Sequence, residues 1–419
     1  MSIDTSLDTR VLPHEVLAHT REHLSESRAR VASMLGSIVE DRSAGSRVWS
    51  SDDVEYLNCG GYGTLLLGAR HPRVVDAVIA QLGRHPVSTR TLLEPRVAEA
   101  AASLAARLPE TLTKVYFGAS GTEATEAAIK MACSAGHHRM IGAGGGYHGK
   151  TLGALALTAN SAYQNPFRRL FTAATRVPYG DIDALSDAMG DDASDACVVL
   201  EPIQGEGGVV IPPPQYLAAA SALCRERGAL LVMDEIMTGL GRTGVWWESE
   251  RDGVAADIVL VGKSLGGGVI PVSAAVATPR AFRAFDIDFG IHTSTFSGAP
   301  LGMAAACAAL EVIDDENLVD RSARFGTRIL SELRSLTAGL DTVSVRGRGL
   351  LIGLDFRDAG AAGRFLLALL DRRVVANHSL NASPVVRLTP PATMTDSDVD
   401  WMLTAVAGAL RDTYSEGPL

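Results

Sequence analysis

Cysteine is scarce in this chain: Cys59, Cys133, Cys197, Cys224 and Cys307 in 419 residues, with no CxxC spacing. That argues against a disulfide framework or a thiolate metal site, so no metal is expected and reduced thiols in a cytoplasmic protein are. Positive charge is in deficit too, 38 Lys and Arg against 48 Asp and Glu for a net charge of −10. The deficit argues against nucleic acid or an anionic membrane as the main partner. No apolar run reaches membrane-spanning length. Asp4, Asp8, Arg10 and Glu15 stand where a secretory leader would need an apolar stretch. Repeats and low-complexity tails are absent as well. What remains, 47% hydrophobic and 21% charged residues, is ordinary for a globular enzyme of more than one domain.

Three regions follow from the patterning. Residues 1–58 read as a polar, helical N-terminal segment that joins the smaller domain. Over 59–317 short apolar runs alternate with longer amphipathic stretches. "KVYFGAS", "ACVVLEP", "ALLVMDE" and "DIVLVGK" read as buried strands separated by crossover helices. This predicts an α/β fold whose large domain has a mostly parallel sheet with helices on both faces. From 318 to 419 a charged helix, the segments "VSVRGRGLLIGLDF" and "VVRLTPP", and a last helix opening at Thr395-Asp396-Ser397 predict a smaller α+β domain.

Several of these strands end on polar residues: "CVVL" on Glu201, "ALLVM" on Asp234 and Glu235, "DIVLVG" on Lys263. In open α/β sheets ligands lie outside the carboxyl ends of the strands, so carboxylates and a lysine are expected in one crevice. Taken singly, each fits a helix cap or a turn equally well. Lysine is the basic side chain whose pKa falls readily on burial, which makes it usable as an amine nucleophile. In "FGASGTEATEAAIKMA", Ser120 and Glu123 have capping-box spacing, so a helix should start near Gly121 and offer free N–H groups to a phosphate. That turn is neither a Walker loop nor GxGxxG, which weakens a dehydrogenase-like reading there. A lysine nucleophile, a strand-end acid and a helix-start anion site together suggest pyridoxal phosphate. Its aldehyde needs an amine, its ring nitrogen a carboxylate, and its phosphate backbone donors.

The stretches "SGTEATEAAIK", "YHGKTLGALALT", "EPIQGEGGV", "DEIMTGLGRTG", "GKSLGGGVIPVSA" and "HTSTFSGAPLG", in this order, resemble the class III, fold type I aminotransferases over nearly the whole chain. "PYGDIDAL", "IPPPQYL" and "NASPVVRLTPP" are most similar to the putrescine, ornithine and acetylornithine branch. The resemblance implies that Lys263 binds the cofactor covalently and then shuttles the proton, and that Asp234 pairs with the pyridinium nitrogen. It implies that Ser120, Gly121 and Thr122 cradle the phosphate and that Tyr147 stacks on the ring with His148 beside it. Thr295 would reach the phosphate of the neighbouring subunit's cofactor, making a homodimer with shared active sites. Glu201 and Glu206 would line the substrate side, and Tyr62 would face the substrate. Arg387 would grip a substrate carboxylate, with Glu206 as its alternating partner. The implied reaction moves the terminal amine of a diamine or basic amino acid onto 2-oxoglutarate, giving an aldehyde and glutamate. A decarboxylase, racemase or aminomutase of the same fold would use the same lysine and aspartate.

Two departures bear on substrate. Met237 stands in "DEIMTG" where the family usually has glutamine or a small β-branched residue, so a hydrogen bond to the ring oxygen is lost or replaced. The usual "GGNP" is Ser297-Gly298-Ala299-Pro300 here.

Overall fold

The structure, a computed structural model, describes residues 12–415; Asp4, Asp8 and Arg10 lie outside them. Helices Pro13–His19 and Glu26–Met34 open the described chain. The rest of the N-terminal segment departs from the helical reading of its charge pattern. It forms strands β1 (Glu40–Ala44), β2 (Arg47–Ser50) and β3 (Glu55–Asn58). The sequence of β1, EDRSA, carries no apolar alternation, because both its faces are largely exposed and it is held by backbone pairing to β2 and by Arg42, which lies over the Trp49 ring.

The central sheet contains β4 (Lys114–Gly118), β5 (Arg139–Ala143), β6 (Thr175–Val177), β7 (Ala196–Leu200), β8 (Leu230–Asp234), β9 (Ile258–Val261) and β10 (Ser273–Ala277). Their spatial order is β4-β10-β9-β8-β7-β5-β6. Every residue of β7, β8, β9 and β10 is buried, since helices cover both faces; β7 and β9 read as unbroken apolar runs, and β8 does so up to its last residue, Asp234. All pairings are parallel except those of β10, which runs antiparallel to β4 and β9. Its direction brings its first residue, Ser273, to the same edge as the carboxyl ends of β8 and β9. There the Ser273 hydroxyl donates to the Ser120 carbonyl at 2.6 Å and pins the start of helix Gly121–Ser134.

Strands β11 (Val343–Arg348), β12 (Leu351–Phe356), β13 (Val374–Val375), β14 (Asn377–Ser379) and β15 (Ala382–Leu388) follow. Four of them make an antiparallel sheet, β11-β12-β15-β14, packed by helices Leu318–Thr337 and Ala359–Asp371, against which the last helix, Asp396–Ser415, rests. The fifth, β13, pairs in parallel with β3, so residues 374–375 and 57–58 share one sheet. No helix among the described residues is long and apolar enough to cross a membrane.

Candidate active site

A cavity of about 370 Å³ opens at the carboxyl ends of β8 and β9, lined by Gly121, Thr122, Tyr147, His148, Gly149, Lys150, Glu206, Asp234, Ile236, Met237 and Lys263. Lys263 follows β9 after Gly262 alone and has φ +47°, a left-handed backbone uncommon for a lysine. The glycines after it continue that turn, with φ +62° at Gly267 and +70° at Gly268. A Cβ at Gly267 would stand 2.8 Å from Val74 Cγ1, and one at Gly268 2.7 Å from Leu65 Cδ2. The glycine cluster is therefore what lets the chain reverse tightly enough to turn a lysine back over the sheet edge. Burial pushes the Lys263 amine below its ordinary pKa, and the cation of Arg387 adds to the effect; Glu206, Asp234 and Glu201 oppose it. A larger neutral fraction makes a better nucleophile.

Asp234, the last residue of β8, is buried and held from two sides. His148 Nδ1 donates to its Oδ2 at 2.7 Å, and the Ile236 N–H donates to its Oδ1 at 3.1 Å. Burial disfavours the charged imidazole, but the bond and charge of Asp234 outweigh it, and the His148 pKa is raised. His148 therefore orients the carboxylate, and its backbone is in turn fixed by the Thr158 hydroxyl at 2.9 Å. Glu201, at the end of β7, does not line the cavity. It accepts from the N–H groups of Tyr147 at 2.9 Å and Gly205 at 3.2 Å, and burial raises its pKa to about 7. Its carboxylate positions the loop that carries Tyr147. Glu235 is turned away altogether, accepting from the Thr238 hydroxyl and from the Ser249 N–H.

Helix Gly121–Ser134 starts at the cavity wall. Glu123 Oε2 accepts the Ser120 N–H at 3.1 Å, which closes the cap and leaves the next N–H groups of the first turn for a ligand. Gly121 has to be small: a Cβ there would stand 2.9 Å from Ile236 Cδ1. Ser120 lines a second, adjoining recess together with Thr64, Gly121 and Lys263.

Arg387, on β15, is fully buried and does not itself line the cavity; its Nη2 lies 2.8 Å from Oε1 of Glu206, which does. The contact is an ion pair rather than a well-directed hydrogen bond, and Nε has no partner. Burial alone would raise the Glu206 pKa, but the charge and contact of Arg387, followed by Lys263, hold it below its ordinary value of 4.5. Such a group stabilises the fold above its ordinary pKa, and that contribution is lost as pH falls through the depressed value. Glu206→Gln should therefore be less stable than the parent at pH 7, by about 1–3 kcal/mol. The gap should close in acid. Denaturant titrations at pH 7 and pH 3 measure it, and a gap unchanged at pH 3 would contradict an ionised pair.

Met237 is buried between Gly63 and Gly205, where a Cβ would approach its side chain to 2.9 and 2.7 Å. With Ile203, Val209 and Leu351 it forms an apolar wall that cannot donate a hydrogen bond. Tyr62 is 47% exposed and is not among the residues lining the cavity; its φ is +51° and its N–H donates to Asn377 Oδ1 at 3.2 Å. Thr295 lines a separate recess with Arg90, Leu93 and Ser297, away from Lys263 of the same chain. Sequence patterning singles out neither Ile236 nor Lys150, yet both line the cavity. Ile236 is the apolar floor beneath Gly121, and Lys150 sits at the mouth with its ammonium 3.9 Å from the Tyr163 ring centre. Lys150 lies in the quoted stretch "YHGKTLGALALT", where it carries no spacing signal of its own.

These groups suit pyridoxal phosphate by the chemistry each offers. A buried amine of lowered pKa, an oriented carboxylate and a glycine helix start face one space, and an aromatic arm flanks it.

The family model described as aminotransferase class-III matches residues 28–410. Among solved structures, an ornithine aminotransferase from Toxoplasma gondii is similar at 30% identity and a TM-score of 0.89, covering 97% of this chain and 96% of that one. An (S)-enantioselective omega-transaminase from Thermomicrobium roseum superposes with a TM-score of 0.88 at 26% identity, over 96% of this chain and 98% of its own. An amine transaminase from an uncultivated Pseudomonas species, solved in a PLP-bound form, gives a TM-score of 0.84 at 27% identity, covering 90% and 95% of the two chains.

Proposed function

The chain belongs to the class-III aminotransferases, enzymes that depend on pyridoxal phosphate, and from that membership we propose a specific reaction. It moves the terminal amino group of a diamine or basic amino acid onto 2-oxoglutarate, giving an aldehyde and glutamate. When bound, the cofactor supplies the electron sink for the reacting carbon. In this reading Lys263 binds it covalently and moves the proton at Nζ. Asp234 keeps the ring nitrogen protonated, steadied by His148. Gly121, Thr122 and Ser120 hold the phosphate, and Tyr147 covers the ring on an arm set by Glu201. Met237 shapes the pocket by bulk alone.

One observation carries the choice of substrates: a buried arginine, Arg387, paired with Glu206, which lines the cavity together with Lys263. An arginine can take the carboxylate of 2-oxoglutarate bidentately, while Glu206 neutralises it when a diamine occupies the site. The similar structure is named for ornithine, a basic amino acid, which supports a substrate of that class. Arg387→Ala tests the assignment. Loss of a charge-assisted contact of about 1.5–3 kcal/mol should slow the 2-oxoglutarate half-reaction by about tenfold or more. The diamine half-reaction should change much less. An amino acid held at Arg387 through its α-carboxylate would instead lose both halves. Stopped-flow measurement of each half-reaction separates these outcomes, and unchanged 2-oxoglutarate kinetics would remove Arg387 from the site.

We also assign the chain to a homodimer in the cytoplasm. Exposed apolar residues Leu92 and Leu93 line the recess that carries Thr295, and exposed Phe296 follows Thr295 in the chain, as a partner surface requires. All five cysteines are free, which suits a reducing compartment. Sedimentation as a monomer at micromolar concentration would contradict the dimer, and recovery from a secreted fraction the location.

A further inference from the structure

Glu206 is held by more than Arg387. Its second carboxylate oxygen, Oε2, accepts the backbone N–H of Leu380 at 2.9 Å, and its own carbonyl accepts the N–H of Asn381 at 3.0 Å. Leu380 and Asn381 form the turn between β14 and β15, and Arg387 lies six residues beyond it on β15. Side-chain hydrogen bonds strap that turn down. Asn381 Nδ2 donates to the carbonyls of Gly145 at 3.2 Å and Gly146 at 3.1 Å, directly before Tyr147. Asn160 Nδ2 donates to Asn381 Oδ1 at 3.0 Å. The Tyr163 hydroxyl donates to the Leu380 carbonyl at 3.3 Å, and the Ser379 hydroxyl to the Gly205 carbonyl at 3.3 Å.

Glu206 cannot leave Arg387 while keeping this geometry. To free the guanidinium for a substrate carboxylate it must also give up the Leu380 N–H, which is worth more than an ordinary hydrogen bond because its acceptor is ionised. The firmness of the turn therefore adds to the cost of opening the arginine. It does so only for a ligand that needs Arg387.

We propose that Asn381 is a positioning residue that sets the balance between the two substrates, clasping the Leu380–Asn381 turn so that Leu380 N–H keeps Glu206 on Arg387. The proposal rests on the reading of Arg387 as a carboxylate site. It places specificity in an amide that touches neither substrate nor cofactor, and it links the gate to the loop carrying Tyr147.

Glutarate, a dicarboxylate with no reactive carbonyl, probes the gate without turnover. Calorimetric titration of the holoenzyme should show it binding about three- to tenfold more tightly to Asn381→Ala than to the parent, because Glu206 yields more easily. Asn160→Asp keeps its helix cap to the Ala162 N–H, at 3.0 Å, but loses the donor to Asn381. It should shift the constant in the same direction, and it keeps the test open if Asn381→Ala fails to fold. In a Glu206→Ala background neither substitution should have an effect, since there is no carboxylate left to hold. Unchanged or weaker glutarate binding in the two single variants would overturn the proposal. So would equal tightening with Glu206 absent, which would mark a general loosening of the pocket. Parent-like glutarate binding in Arg387→Ala is a different failure: it removes the carboxylate site itself and the proposal with it.

Discussion

Lys263→Ala yields a folded protein whose transaminase turnover is lower by about 10⁴-fold or more, the upper end of what a positioned proton-transfer group contributes. The loss is that large because one nitrogen does two jobs in this reading. It anchors the cofactor covalently, and it is the nearest base able to move a proton at the reacting carbon. Its lowered pKa serves both, since a neutral amine is the form that attacks and the form that accepts a proton. Binding should survive in part, because the phosphate cradle at Gly121 and the carboxylate of Asp234 are untouched. The expected signature is retention of cofactor through gel filtration, with loss of the absorption band near the visible edge. A normal band and normal turnover in this variant would exclude Lys263.

Asp234→Asn is the second large effect. A neighbouring opposite charge shifts a pKa by about 1–3 units, so an amide in its place lowers the protonated fraction of the ring nitrogen by about 10- to 1,000-fold. The rate of proton removal from the substrate should fall in proportion, as the electron sink weakens. His148 makes the variant informative. Its ring N–H, which donates to the carboxylate at 2.7 Å, can donate to an amide oxygen in the same place. The amide keeps the His148 side of the anchorage and gives up the weaker Ile236 N–H bond, so the larger part of the loss is electronic. Primary isotope effects on the amine half-reaction check this: proton removal should become more clearly rate-limiting. Near-normal turnover with cofactor bound would show that another group protonates the ring.

Much of this arrangement is legible in the sequence where burial writes a plain pattern. Strands β7, β8 and β9 are covered on both faces, so their apolar runs stand out, and the polar residues at their ends mark the sheet edge. Lys263 before its glycines is legible for the same reason. Strand β10 is harder to read, because SAAVA packs by small size rather than by bulk. Strand β1 leaves no pattern because its faces are exposed. Pairings between distant segments leave no local trace. His148 meets Asp234 across 86 positions, and Leu380 meets Glu206 across 174. Glu201 and Asp234 look alike as strand-end acids, yet Asp234 faces the cavity and Glu201 holds a loop. Side-chain direction at a strand end depends on the following turn, which periodicity does not encode.

Every role proposed for this site depends on Lys263 being the residue that carries the cofactor. Borohydride reduction of the purified holoenzyme, followed by proteolysis and mass spectrometry, tests it without any assumption about substrate. A single pyridoxyl-phosphate adduct is expected on the peptide spanning "DIVLVGKSLGGG", at Lys263, and none in Lys263→Ala. An adduct on Lys150 or elsewhere, or no adduct in a protein that binds the cofactor and turns over, would contradict it.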